Sequence, residues 1–268
     1  MSSDNPYQPP ATNVDVVEAV SDDVWALVEP RKLTAGRSWA WIAEGFRLFA
    51  RSPGIWIVNM ILFFIITIFI ALIPVISIVN YILQPIFIGG LMRGTHTIDT
   101  NGEYEVNHLF CGFKEKGSNL AVLGALQLGI MILYAIVIVI VMFALFGSAI
   151  FLSESGVDQP DPNAMFAGAA FIIFIPFLII TILLLSLAFW LSPPLVILHD
   201  QEAFASIKLS FSGSMRNLLP IILFGIMLMV FFIIALIPFG LGLFVMWPVA
   251  MAAIYAAWKD IFTNANPV

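Results

Sequence analysis

The stretch Ile55–Met92, IWIVNMILFFIITIFIALIPVISIVNYILQPIFIGGLM, decides how this chain folds. It contains no Asp, Glu, His, Lys or Arg. As a helix rising about 1.5 Å per residue it reaches on the order of 57 Å, nearly twice the ~30 Å hydrocarbon core of a bilayer. Pro74-Val75-Ile76-Ser77 interrupts it near the middle, so it reads as a hairpin of two membrane spans. A second stretch of this kind, 218–258, breaks at Pro238-Phe239-Gly240-Leu241-Gly242. Between them lie two more apolar runs, 119–152 and 164–199. Each reads as one long or tilted span.

Charge sets the orientation. All eleven Lys and Arg residues fall in alternate gaps between spans. Arg31, Lys32, Arg37, Arg47 and Arg51 precede the first run, and Arg93, Lys114 and Lys116 follow it. Lys208 and Arg216 separate the third run from the fourth, and Lys259 follows the last. The gap around Glu154, Asp158 and Asp161 is purely acidic. Basic loops remain on the cytoplasmic side during insertion. The expectation is therefore six crossings, at about 55–74, 78–92, 119–148, 165–195, 218–238 and 242–258, with both termini cytoplasmic. Splitting either middle run alone would carry the next basic loop across the membrane.

Composition agrees. The chain has 268 residues, 61% of them apolar and only 10% charged, and a mean hydropathy of +1.01. Soluble domains carry about 25% charged residues. The net charge of -6 comes largely from acids in the first 30 residues and in loops, so it does not point to a basic ligand. No nucleic-acid partner is expected, and the bases near the membrane face anionic lipid. Cys111 is the single cysteine, which excludes an intrachain disulfide. Residues 1–36 read as a disordered acidic tail with a short helix around Val14–Val28, and residues 37–268 as the membrane domain. The tail has no apolar core of signal-peptide length, so the first span is expected to serve as its own insertion signal.

A repeat underlies the six spans. Ile70-Ala71-Leu72-Ile73-Pro74 recurs as Ile234-Ala235-Leu236-Ile237-Pro238. An amphipathic stretch precedes each hairpin: Trp39, Ile42, Phe46 and Phe49 in the first, Phe204, Ile207 and Phe211 in the last. Ile207-Lys208-Leu209 echoes Phe46-Arg47-Leu48. A third copy, Val106, Leu109, Phe110 and Phe113, precedes the middle pair, and Asn119-Leu120 parallels Asn217-Leu218. The unit is an interfacial helix followed by two spans, used three times in parallel.

Asn5-Pro6-Tyr7-Gln8-Pro9-Pro10, Trp39-Ala40-Trp41 and His108-Leu109-Phe110-Cys111-Gly112-Phe113 carry a family resemblance. Together they resemble a family of uncharacterised proteobacterial inner-membrane proteins. More distantly, the repeated unit is similar to YciC-like proteins and to the membrane domain of some glycerophosphodiester phosphodiesterases. The resemblance implies a bacterial inner membrane and six helices, and supplies no catalytic residue.

No ionisable side chain falls near the middle of a span, where one costs about 2.5–3.5 kcal/mol and marks ion or proton pathways. The uncharged polar residues are Asn59, Thr67, Asn80, Gln84, Gln127, Thr181 and Ser186. They fit either a substrate path, with Asn80 and Gln84 one turn apart, or hydrogen-bonding glue between helices at about 0.6 kcal/mol each; glue is favoured. Ala252, Ala253, Ala256 and Ala257, and Gly89-Gly90, suit close helix contact, while Pro85, Pro176, Pro193, Pro194 and Pro248 suit kinks. His108, Cys111 and Glu105 share a face, with His96 and His199 as further donors, but nothing in the spacing assembles a metal site. No nucleophile, phosphate loop or carboxylate pair matches a catalytic template.

Trp39, Trp41, Trp56, Trp190, Trp258 and Tyr255 read as interfacial anchors, and Trp247 as a packing residue. His199, Asp200 and Glu202 read as loop partners of Lys208 or Arg216. The functional expectation is a non-enzymatic, cofactor-free membrane protein, a scaffold or accessory subunit engaging other inner-membrane proteins or lipids. Asn5, Pro6, Tyr7, Pro9 and Pro10 form a docking motif if that tail has a partner. The alternative is a carrier or flippase for a neutral or amphipathic molecule, working through Asn59, Asn80, Gln84 and Gln127.

Overall fold

The computed structural model of the protein describes residues 25–73, 77–154 and 162–265, which form ten helices. They are α1 (Arg37–Arg51), α2 (Pro53–Ala71), α3 (Ser77–Asp99), α4 (His108–Glu115), α5 (Gly117–Glu154), α6 (Pro162–Phe189), α7 (Ser192–His199), α8 (Ala203–Arg216), α9 (Leu218–Leu236) and α10 (Leu243–Phe262). The chain is all-α and a membrane protein. Four helical segments are long and apolar enough to cross a bilayer: Pro53–Ala71, Gly117–Ala144, Phe174–His199 and Leu218–Leu236. Their outward residues, among them Ile68, Phe69, Val139, Phe143, Ile179 and Met229, are large, apolar and exposed, as a lipid-facing surface requires.

The other two helices that six crossings would need are α3 and α10, with 23 and 20 residues. Their later halves lie inside the bundle and are less uniformly greasy for that reason. α10 packs on α1, α2, α3 and α9, and α3 on α2, α4, α5 and α7. A helix surrounded by protein needs small residues for close approach more than it needs large apolar ones. Ala252, Ala253, Ala256 and Ala257 are accordingly all fully buried. The first hairpin turn, at 74–76, lies outside the described residues. The second turns at Phe239 and Gly240, both with positive φ (53° and 79°). Gly242 brings the chain back so close to Ala235 that a Cβ there would collide with its backbone.

Within the third apolar run the helix is interrupted, although Phe174–His199 as a whole is one membrane-capable segment. α6 stops at Phe189, and Pro193-Pro194 start the separate helix α7. Proline fits a first helical turn, where its missing N–H leaves no intrahelical bond unmade. Every residue from Ser192 to Leu198 is buried, so α7 plugs the bundle rather than extending along the lipid.

The three short amphipathic helices, α1, α4 and α8, fall where the sequence places them, yet their apolar stripes divide: Ile42 and Leu109 turn inward, while most of the aromatic residues point outward. Trp39 and Phe46, Phe110 and Phe113, and Phe204 and Phe211 are exposed. The faces turned into the protein are Ser38, Trp41, Ile42, Gly45 and Leu48 on α1, Leu109 and Gly112 on α4, and Ala203, Ser206, Ser210, Gly213 and Ser214 on α8. Each short helix has its own packing partners: α4 packs on α3, α8 on α6 and α7, and α1 on α10. A small residue sits at each crossing. A Cβ on Gly45 would stand 2.6 Å from the Val249 carbonyl oxygen, and one on Gly112 would run into the Ile86 carbonyl. The Ser210 and Ser214 hydroxyls donate to the Leu187 carbonyl at 2.9 and 3.1 Å.

Residues 25–36, part of the tail expected to be disordered, are instead docked as a strap. Val28 N–H donates to Phe262 O (2.8 Å), Arg31 N–H to Ile261 O (2.9 Å) and Asn264 N–H to Ala26 O (3.3 Å). The Asn217 side chain accepts from Leu33 N–H and donates to Arg31 O, both at 2.8 Å. The strap's backbone groups thus find partners at the helix ends, which a composition-based reading cannot anticipate.

Candidate functional site

Two features stand out: a layer of paired charges where the short helices meet the ends of α3 and α10, and a groove open to the side between α6 and α9. The charged layer is built on two buried aspartates. Asp260, near the end of α10, is 1% exposed. Its Oδ2 accepts from Arg37 Nε (2.7 Å) and from the Trp41 indole N–H (2.9 Å). Arg31 donates to the Asp260 carbonyl at 2.7 Å, tying the strap to the same point. Asp99, at the end of α3, takes Lys259 at 2.6 Å, Tyr255 at 3.2 Å and Arg47 at 3.3 Å. Lys259 also lies 4.1 Å from the centre of the Trp25 ring, a cation–π contact. Arg47 is further paired with Glu44, and that hydrogen bond, ahead of the opposing effect of burial, raises its guanidinium pKa.

Three of the tryptophans face protein rather than the lipid boundary. Trp41, Trp56 and Trp258 are fully buried in protein, which corrects their reading as interfacial anchors. Trp39 is exposed beside Phe231. Trp247 packs edge-on between Phe64 and Phe232 at 5.4 Å from each, as a packing residue should. The loop partners differ too: Asp200 pairs with Lys116, Lys208 sits over the Phe204 ring, and Arg216 donates to Pro30 O.

His108 is held locally, its Nδ1 within 3.0 Å of Glu105 N and its Nε2 3.4 Å from Thr97 Oγ1. Cys111 lies over the Gly90 carbonyl, and burial pushes its thiol pKa up to about 12. Burial likewise raises that of Tyr104. Among the described residues no three His, Cys, Asp or Glu side chains are grouped to hold a metal ion.

The polar residues singled out within the spans do not converge. Asn59 is buried on α2 and donates to the Glu105 carbonyl at 3.4 Å. Gln84 is exposed on α3 and Asn80 is half-buried. Gln127 lines a shallow groove between α5 and α6 with Tyr134, Ser186 and Phe189. Thr181 and Ser186 return their hydroxyls to their own helix, at Phe177 O and Leu183 O. Tyr134 does bridge helices, donating to Leu178 O at 3.0 Å. The motif Asn5–Pro10 lies outside the described residues.

The lateral groove between α6 and α9 has a volume of about 530 Å³. Leu183, Leu187 and Trp190 wall one side and Leu218, Ile222, Gly225 and Met229 the other, with Ile254 of α10 behind. α6 and α9 scarcely touch each other, which leaves the space open. Trp190 stands at one end, its indole N–H donating to Ser214 Oγ at 2.8 Å. Of its lining residues the sequence singled out Ser186 and Trp190, and nothing in either marked a groove.

Known proteins supply no parallel: no family model, curated protein or solved structure matches the chain.

Proposed function

We propose that this is a non-enzymatic inner-membrane protein, a scaffold or accessory subunit that engages lipids and membrane partners through its apolar flanks. The observation that carries the reading is the division of chemistry in the bundle. The buried charges pair with one another at one end, while the groove between α6 and α9, at span level, is lined almost wholly by apolar side chains. A transport path for a polar solute needs converging polar groups at that depth, and Asn59, Asn80, Gln84 and Gln127 lie on three helices without joining one. Reconstitution into liposomes tests this. Neither release of trapped metabolites nor scrambling of labelled lipid should exceed that of protein-free vesicles. Flux that disappears in the Asn80→Leu/Gln84→Leu variant would favour the carrier or flippase instead.

The arrangement that goes with this function is six crossings of a bacterial inner membrane in three repeats, with the charged layer and both termini cytoplasmic. Its support is the alternation of Lys and Arg along the chain and the packing of α1, α4 and α8. A periplasm-dependent phosphatase fused after Val268 should be silent, and the same reporter inserted at Asp158 should be active. Activity from the Val268 fusion would overturn the orientation.

A further inference from the structure

We infer that the groove between α6 and α9 binds one acyl chain of a glycerophospholipid drawn from the leaflet on the charged side of the protein. The inference rests on the lipid-engaging reading above and gives it a place. Along α9 the groove runs from Leu218 to Met229. At about 1.5 Å per residue that is on the order of 16 Å, half of the ~30 Å hydrocarbon thickness. A partner's transmembrane helix would need the full thickness, whereas a single chain anchored at one surface needs only half. The polar boundary is marked at the end where the chain would enter. Trp190 stands there with its ring on apolar residues and its N–H hydrogen-bonded, the placement an indole takes at headgroup level. Arg216, two residues upstream of Leu218, is exposed and donates one guanidinium N–H to Pro30 O, so a cation lies on this side of the bundle.

Gly225 supplies the means to close the groove. It lines the wall, and a Cβ built on it meets no atom within 4 Å. A larger side chain there would start into the groove from a Cβ that strikes no protein atom. Gly129, exposed on α5 and likewise clear of neighbours, is the matched control.

The test uses the full-length protein in vesicles of phosphatidylethanolamine and phosphatidylglycerol. These are doped with a phosphatidylglycerol carrying a photoactivatable diazirine on one acyl chain, and the labelled peptides are mapped by mass spectrometry. Labelling should concentrate on 183–190 and 218–229 over the equally exposed faces of α2 and α5. Gly225→Leu should reduce it there roughly tenfold, as expected when about two methylenes lose their burial, and Gly129→Leu should leave it unchanged. Even labelling of all lipid-facing helices in the wild type would overturn the assignment, as would groove labelling that Gly225→Leu does not lower. The wild-type map decides the matter if the variant fails to fold. Transport activity in the same vesicles would unseat the scaffold reading and leave the groove assignment intact, whereas even labelling would do the reverse.

Discussion

Replacing Asp260 with alanine is expected to destabilise the protein by about 3–5 kcal/mol, the cost of removing one partner from a buried ion pair. The value should fall toward the lower end, because the side chain of Arg37 retains 20% exposure and water relieves part of its loss. Three elements meet at this carboxylate. Arg37 and Trp41 bring α1, and Arg31 brings the strap to the carbonyl of the same residue. With the carboxylate removed, the Trp41 indole N–H is left buried without its acceptor, which adds a desolvation penalty to the unpaired charge. Thermal unfolding in detergent, followed by tryptophan fluorescence, measures the effect. Asp200→Ala is the internal comparison. That carboxylate is ion-paired as well, to Lys116, but is 68% exposed, and such surface pairs contribute about 0–1 kcal/mol. Equal losses in the two variants would mean that Asp260 does not organise this end of the bundle.

The second large effect is expected at the helix crossings. Gly112→Val should cost about 1–3 kcal/mol, the usual penalty for overpacking, since its Cβ is directed at the Ile86 carbonyl. A backbone carbonyl cannot swing aside as a side chain can, so α4 must move away from α3. Gly45→Val should behave alike, because Val249 O and the Cβ of Ala253 occupy the corresponding space. Gly129→Val, with open space around it, should stay within about 0.5 kcal/mol of wild type. The same unfolding measurement separates the three. If Gly112→Val unfolds no earlier than Gly129→Val, close backbone approach is not what seats the short helices.

These two sites show how unevenly the structure could be read beforehand. The positions of α1, α4 and α8 were legible, since charged and apolar residues alternate there at helical spacing. Which face each would bury was not. Phe46, Phe113 and Phe211 suit a protein core and a bilayer equally well, because both are apolar surroundings. Only the close approach at Gly45, Gly112 and Ser210 selects the small face as the inner one. The break between α6 and α7 was signalled by Pro193-Pro194, but proline alone does not say whether a helix bends in place or stops and turns into the core. The groove at Gly225 and the docked strap had no signal at all. Both depend on what neighbouring segments leave open or offer as hydrogen-bond partners.

Local chemistry by itself determined an all-helical membrane protein with short amphipathic helices ahead of apolar ones, because hydropathy and charge act residue by residue during insertion. The tertiary structure alone decided that α3, α7 and α10 form the interior, that Asp99 and Asp260 are buried with their cations, and that α6 and α9 stand apart. Helices already inside a bilayer gain little from hydrophobicity when they associate. Their arrangement is therefore settled by steric fit and by pairing of the few polar groups, which are properties of surfaces assembled from distant parts of the chain.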